Sequence, residues 1–256
     1  MTRVLSGIVM AAGALAAILF LPPIGLRVLV ALLAGAAAFE YMALVGVDNS
    51  RGRVGFVLLA GLIAWQLSSG VQMAIIAPMA LLVAGAFAVF FRRTTGQQAV
   101  LGAFSMVYIG MPLGMLAALQ IARGWRATVL LIATVVVSDS LQFYTGRLFG
   151  KHPLAPAISP KKTIEGAVGG MVFGTIFAVL AGHRLFPSAT VGRLVLLGVA
   201  VVILGICGDL FESRLKRAAG MKDSSALIPG HGGVLDRIDS HLFAAPAFYL
   251  FVQFYR

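Results

Sequence analysis

Long apolar runs dominate the 256-residue chain, and short polar breaks separate them. They fall at about 4–21, 24–47, 54–68, 71–91, 100–120, 127–146, 165–185, 191–211 and 240–255. Most approach the roughly 20 apolar residues that a helix needs to cross a bilayer. The runs are continuous and do not alternate with period two, so they predict helices and not a transmembrane β-barrel. The expectation is an all-α, polytopic integral membrane protein with about nine transmembrane helices. The short run 54–68 pairs with 71–91 as a tight helical hairpin. The first run follows a single Arg, an outline shared with signal peptides, but the many spans behind it and the stop at Pro22-Pro23 mark it as a retained helix.

Two longer polar stretches interrupt this pattern, at about 147–164 and 212–239. With a cytoplasmic N-terminus, 14 of the 20 Lys and Arg residues fall on the cytoplasmic side, both polar stretches among them. The positive-inside rule therefore favours N-terminus in and C-terminus out, with two cytoplasmic polar loops. Composition agrees with the pattern: 60% of residues are hydrophobic and 11% charged, against about 25% charged in soluble chains. The formal charge of +11 is thus read as topology, with no nucleic-acid partner. Cys207 is the lone cysteine, excludes an internal disulfide, and reads as a small core residue. Acidic residues are unevenly spread: Glu40 and Asp48 come first, and the other seven lie from Asp139 onward. The chain then reads as one membrane domain in two parts, scaffold helices over 1–126 and a region of chemistry over 127–256.

In "GDLFESRLKR", Asp209, Ser213 and Lys216 are spaced i, i+4, i+7 and share one helical face. A carboxylate, a hydroxyl and an ammonium at the membrane end of a helix suit a metal–phosphate site; a cap or an ion pair of Asp209 with Arg217 is the competing reading. "PGHGG" places His231 beside Gly232 and Gly233, whose backbone lets N–H groups approach an anion. No cluster of His and Cys accompanies it, which argues against zinc. "DRID" adds Asp236 and Asp239 at i, i+3. A loop folding back would bring Asp209 and Asp236 to one cation, and Mg²⁺ takes one or two carboxylates together with substrate phosphates.

In "ISPKKTIEGAVGG", Ser159-Pro160 predicts a helix start. Lys161, Lys162 and Thr163 would then lie near a helix N-terminus, where anions are favoured; a positive-inside anchor is the alternative for the lysines. Gly166, Gly170 and Gly174 form a small-xxx-small face for helix packing. Asp139, in "VVSDSLQFYTGRLFG", is an intramembrane carboxylate and a site residue by default, with an ion pair to Arg147 as the competitor.

The stretch "SRLKRAAGMKDSSALIPGHGGVLDRID" resembles the signature of the phosphatidate cytidylyltransferase (CDP-diacylglycerol synthase) family. The resemblance rests on Ser213, Lys216, Arg217, Lys222, Asp223, Pro229, His231, Gly232, Gly233, Asp236, Arg237 and Asp239. "GDLFE", "SPKKTIEG" and "SDSLQFYTGRLFG" extend it over about 135–256, with Gln142 departing from the small residue the family tends to carry. The resemblance implies the reaction of CTP with phosphatidate to give CDP-diacylglycerol and pyrophosphate, in a multi-pass homodimer of a bacterial-type inner membrane. It implies Mg²⁺, with K⁺ as an optional companion, held by Asp209 and Asp236. Lys216 and His231 join these two as catalytic candidates, and His231 has two roles open, orienting a phosphate or carrying a proton to pyrophosphate. Substrate contacts are expected from Asp139, Ser159, Lys161, Lys162, Thr163, Glu165, Ser213, Arg217, Lys222, Asp223, Gly232, Gly233, Arg237 and Asp239. The partners expected are CTP, phosphatidate and the lipid bilayer. An anion transporter, and a CTP-using enzyme with a different phosphorylated lipid, are the rival readings.

Overall fold

The computed structural model describes residues 2–47, 50–69, 96–228, 230 and 232–254; the run 71–91, Pro229 and His231 lie outside the described residues. In chain order the elements are α1 (Thr2–Phe20), α2 (Pro23–Leu44), α3 (Ser50–Ser68), α4 (Gly96–Ser105), a π-helical turn (Met106–Gly110), α5 (Met111–Arg123) and α6 (Trp125–Phe149). There follow β1 (Pro153–Ala155), β2 (Ser159–Thr163), α7 (Ile164–Leu185), α8 (Val191–Ala218) and α9 (Leu235–Phe254). The π turn joins α4 to α5 in one apolar stretch. Among the described residues five helical stretches are long and apolar enough to cross a membrane: Pro23–Leu44, Gly96–Arg123, Trp125–Phe149, Ile164–Leu185 and Val191–Ala218. Gly7–Phe20 and Gly52–Ser68 are shorter apolar helices. The class is all-α and multi-pass.

The polar stretches are more structured than their composition suggests. Helix α8 has 28 residues and, at 1.5 Å per residue, reaches about 42 Å, against about 30 Å of hydrocarbon. Residues 212–218, expected in a loop, therefore continue the helix, and its last turn carries Lys216 and Arg217, cations that suit the negative end of the dipole. Likewise α9 starts at Leu235 and not near 240. Between α6 and α7 the chain forms an antiparallel hairpin, with Pro153 opposite Thr163 and Ala155 opposite Ser159.

Ser159-Pro160 does not start a helix: both residues lie in β2. The two-stranded sheet leaves β2 with an open edge, where a proline's missing N–H is tolerated. The helix begins instead at Ile164, where extended Thr163 (φ −121°, ψ 155°) accepts from the Gly166 amide, at 3.1 Å. Cys207 is also placed differently from expectation, since it is exposed. The next residue, Gly208, faces the Asp239 backbone, and the step of about 100° per residue turns Cys207 away from that contact.

The chain divides into two units, Met1–Ala122 with Leu215–Ile238, and Arg123–Arg214 with Asp239–Arg256. In the first, α2 packs along α3, and α3 receives the π turn. A methyl group on Gly110 would lie 2.7 Å from the Ala60 carbonyl oxygen, so backbone meets backbone there. Tyr41 and Tyr108 stack edge to face beside it, with ring centroids 5.8 Å apart. In the second unit α6 and α7 form the main packed pair. Methyl groups on Gly166, Gly170 and Gly174 would lie 2.7 Å from the Gln142 oxygen, 2.9 Å from the Ser138 oxygen and 2.9 Å from Ser138 Cβ. The glycine stripe is a helix-packing face, as its spacing predicts, and Gln142 is buried on that seam.

Candidate functional site

Charged side chains carried on apolar helices need partners, because an isolated ion in a low-dielectric setting is costly. In the second unit Lys162, brought in by β2, forms an ion pair with Asp209 of α8. One turn further along α8 the Ser213 hydroxyl donates to Asp209 Oδ1 at 3.2 Å, the i, i+4 relation read from the sequence. Asp139 of α6 has Lys162, Asp209 and the Ser240 hydroxyl as polar neighbours. Three helices and the hairpin thus deliver two carboxylates, two hydroxyls and one ammonium to a single place. Lys162 takes the part that the sequence offered to Arg217 and Arg147, and Arg217 donates to the Met221 carbonyl at 3.1 Å.

The hairpin that carries Lys162 is tied down by Glu165. Its Oε1 meets His152 Nδ1 at 2.6 Å, and its Oε2 accepts from the backbone amides of Lys151 and His152 at 3.0 and 3.2 Å. Glu165 therefore joins the hairpin entry to the first turn of α7. Thr163 serves as the helix cap, Ser159 is half-buried in β2, and Lys161 is exposed on the same strand.

In the first unit the charges gather around Asp236, in the first turn of α9. Its Oδ1 accepts from Lys216 Nζ at 2.6 Å. Its Oδ2 accepts from the Ser224 amide at 2.8 Å, the Ser224 hydroxyl at 2.7 Å and the Gly233 amide at 2.8 Å. Burial alone would raise the Asp236 carboxyl; the hydrogen bonds from Lys216, Gly233 and Ser224 outweigh it and hold the group down at about 2. Asp236 is consequently an anion at any physiological pH.

The two glycines of the turn have specific reasons to be glycine. Gly232 has φ +80°, and a methyl group on it would lie 2.5 Å from Asp236 Oδ2. At Gly233 a methyl group would collide with Ser224 Oγ and the Glu40 carboxylate. The turn is closed by Ile228 N–H donating to the Gly232 carbonyl at 2.8 Å. The Gly233 amide, expected to face a phosphate, is directed at Asp236. Arg217, Lys222, Asp223 and Arg237 are exposed, Asp239 is half-buried and accepts from the Ser240 amide at 2.7 Å, and His231 lies outside the described residues.

One residue of this constellation escapes the reading of the second half as the seat of chemistry: Glu40, on α2. It is 4% exposed and accepts from Ser224 Oγ and Leu235 N through Oε2, and from Ser225 Oγ and Val234 N through Oε1. The signal was present, because a carboxylate within an apolar helix is itself a functional indication.

Among the described residues no three His, Cys, Asp or Glu side chains gather as a metal cluster. The donor chemistry of the two expected ligands can still be compared with Mg²⁺, which prefers carboxylate oxygens and keeps several waters. A carboxylate has about four acceptor sites. Asp209 is engaged by Lys162 and by a 3.2 Å contact to Ser213, so it retains acceptor capacity for a cation. Asp236 already faces four donor groups, the Ser224 hydroxyl among them shared with Glu40, and fits a cation if Lys216 leaves Oδ1.

The model of the Cytidylyltransferase family matches residues 1–255. A phosphatidate cytidylyltransferase of Haemophilus influenzae is 45% identical over 124 residues, 47% of this chain and 43% of that protein. A phosphatidate cytidylyltransferase of Aquifex aeolicus is 45% identical over 114 residues, 44% of this chain and 42% of its own length. An Escherichia coli protein, described as uncharacterized protein YnbB, is 40% identical over 140 residues, 55% of this chain and 47% of its own. The chain thus spans about half the length of the curated relatives it matches.

Proposed function

The chain belongs to the cytidylyltransferase family, and from that premise we propose that it is a phosphatidate cytidylyltransferase. It would make CDP-diacylglycerol and pyrophosphate from CTP and phosphatidate in phospholipid biosynthesis. The observation that carries this reading is a repeated pairing, Lys162 with Asp209 and Lys216 with Asp236. Each pair joins a carboxylate suited to a hard cation with an ammonium suited to a phosphate, and one member of each, Asp209 and Lys216, lies on α8, a helix apolar enough to cross a bilayer.

In the reaction an anionic phosphatidate oxygen forms a bond to the α-phosphorus of CTP, and the bond from that phosphorus to the α,β-bridging oxygen breaks, the oxygen leaving with pyrophosphate. Such transfers depend on positioning and charge stabilisation more than on a protein nucleophile. Mg²⁺, with K⁺ as an optional second ion, would be held by Asp209 and Asp236 and would offset charge on the phosphates. Lys162 and Lys216, once drawn from their carboxylates, would hold phosphate oxygens through charge-assisted hydrogen bonds. Lys161, Arg217, Lys222 and Arg237 would add positive potential for the incoming nucleotide. His231 would orient a phosphate or carry a proton to the departing pyrophosphate. Ser213 keeps Asp209 in place, and Asp139 sets the local charge against which Lys162 is balanced.

The same reading includes nine spans, a homodimer and a bacterial-type inner membrane, with the polar segments facing the cytoplasm. The excess of Lys and Arg in those segments supports that side. The test is direct: purified protein given labelled CTP, phosphatidate and Mg²⁺ should form labelled CDP-lipid. Absence of product, with solute flux into liposomes instead, would replace the reading with that of a transporter. Turnover of another phosphorylated lipid in preference to phosphatidate would change the acceptor.

A further inference from the structure

Among the buried residues of α2, Glu40 alone is charged. Its four donors come from two stretches of chain that flank the PGHGG turn. Ser224 Oγ and Ser225 Oγ, at 3.0 and 2.7 Å, come before it; Val234 N and Leu235 N, at 3.0 and 2.8 Å, come after it. Two donor groups face each oxygen, and one of them, the Ser224 hydroxyl, shares its proton with Asp236. Enclosed by these groups and 4% exposed, Glu40 offers no open approach for substrate. Val234 and Leu235 lead into α9, and the amides that open a helix lack acceptors of their own. An anion placed there satisfies them and complements the dipole.

The same contacts reach Asp236. The Ser224 hydroxyl lies 3.0 Å from Glu40 and 2.7 Å from Asp236, so the two carboxylates share its one proton. Gly233, whose amide donates to Asp236, leaves no room for a methyl group between Glu40 and Ser224. We infer that Glu40 is a positioning residue for the reaction: by clamping both flanks of the turn to α2, it fixes where Asp236 and the turn backbone stand. The inference rests on the reading of Ser213–Asp239 as a substrate- and metal-holding segment. Partners that orient a ligating side chain commonly matter about 10–100-fold without touching substrate.

The test uses the whole chain, purified in detergent, as wild type, Glu40→Gln and Glu40→Asp. Glutamine keeps the volume, but its NH₂ group replaces one oxygen and deprives one pair of donors of an acceptor. Aspartate keeps both oxygens on a shorter arm. Amide hydrogen exchange over 224–238, in protein free of CTP and metal, should quicken about tenfold or more in Glu40→Gln, as expected for a local opening. Peptides of α6 and α7 should not change, and Glu40→Asp should fall between. In the CTP assay Glu40→Gln should lower kcat about tenfold and raise the Mg²⁺ needed for half-maximal turnover, with KM for phosphatidate little changed. The aspartate should recover part of the loss.

Unchanged exchange over 224–238 would overturn the clamp. Faster exchange in every peptide would make Glu40 a general support of the fold and also overturn the proposal. Local loosening with unchanged kcat would overturn the link to the reaction. A wild-type chain that forms no CDP-lipid would refute the proposed function and the link to it, while the exchange result would still decide whether Glu40 holds the turn.

Discussion

Asp209 and Asp236 both face a lysine, and the two pairs are built to different degrees. In the first, the Lys162 and Asp209 side chains are 17% and 30% exposed, and Ser213 adds one long hydrogen bond. In the second, the Lys216 and Asp236 side chains are 12% and 4% exposed, and two amides and a hydroxyl add three short ones. The same pair of residue types thus gives one carboxylate with spare acceptor capacity and one that organises its own loop. The loss of Asp209 should affect chemistry alone, whereas the loss of Asp236 should affect chemistry and structure together.

That contrast can be broken most sharply at Asp236. Asp236→Asn should abolish Mg²⁺-dependent turnover and destabilise the purified protein by about 3 kcal/mol, because Lys216 and the surrounding donors lose a buried anion. Comparable thermal unfolding of mutant and wild type would show that the four hydrogen bonds do not hold the loop. Asp209→Asn should abolish turnover equally but move the unfolding midpoint little, a partly exposed pair being worth up to about 1 kcal/mol. A large loss of stability there would erase the difference between the two pairs.

Smaller effects sharpen the comparison. Lys162→Ala should raise KM for CTP, since a charge-assisted contact worth about 1.5–3 kcal/mol is removed. Isothermal titration with CTP provides the check, and unchanged affinity would leave Lys162 as a partner of Asp209 only. Thr163→Val should cost about 1 kcal/mol through loss of the α7 cap. Its influence on turnover should appear through Lys162, one residue away, and mutant-cycle coupling between positions 162 and 163 would measure it.

How much of this was legible in the chain depended on whether the signal was local. Apolar runs revealed α6 and α7 to within a few residues, because a lipid-exposed helix needs continuous hydrophobicity. The Gly166, Gly170 and Gly174 spacing revealed the packing face of α7 for the same reason. Ser159-Pro160 misled because a proline is compatible with a helix start and with an edge strand, and the arbiter was Thr163, whose hydroxyl reaches the Gly166 amide. The lengths of α8 and α9 were understated because charge was equated with loop, although a helix longer than the bilayer is thick carries charge on its protruding turns. The partner of Asp209 could not be read from spacing, since Lys162 lies 47 positions away. Glu40 was missed because its donors lie 184 to 195 residues further along, and periodicity carries no information over that span.

That separation has a consequence for biogenesis. At roughly 5–20 residues per second, the ribosome needs about 10–40 s after Glu40 to produce Leu235, 195 residues later. During that interval α2 must enter the membrane with a carboxylate whose four donors have not yet been made. The first unit therefore joins α2 to a segment synthesised 184 to 195 residues later, so a nascent chain arrested before residue 224 would hold an acidic side chain with nothing to receive it.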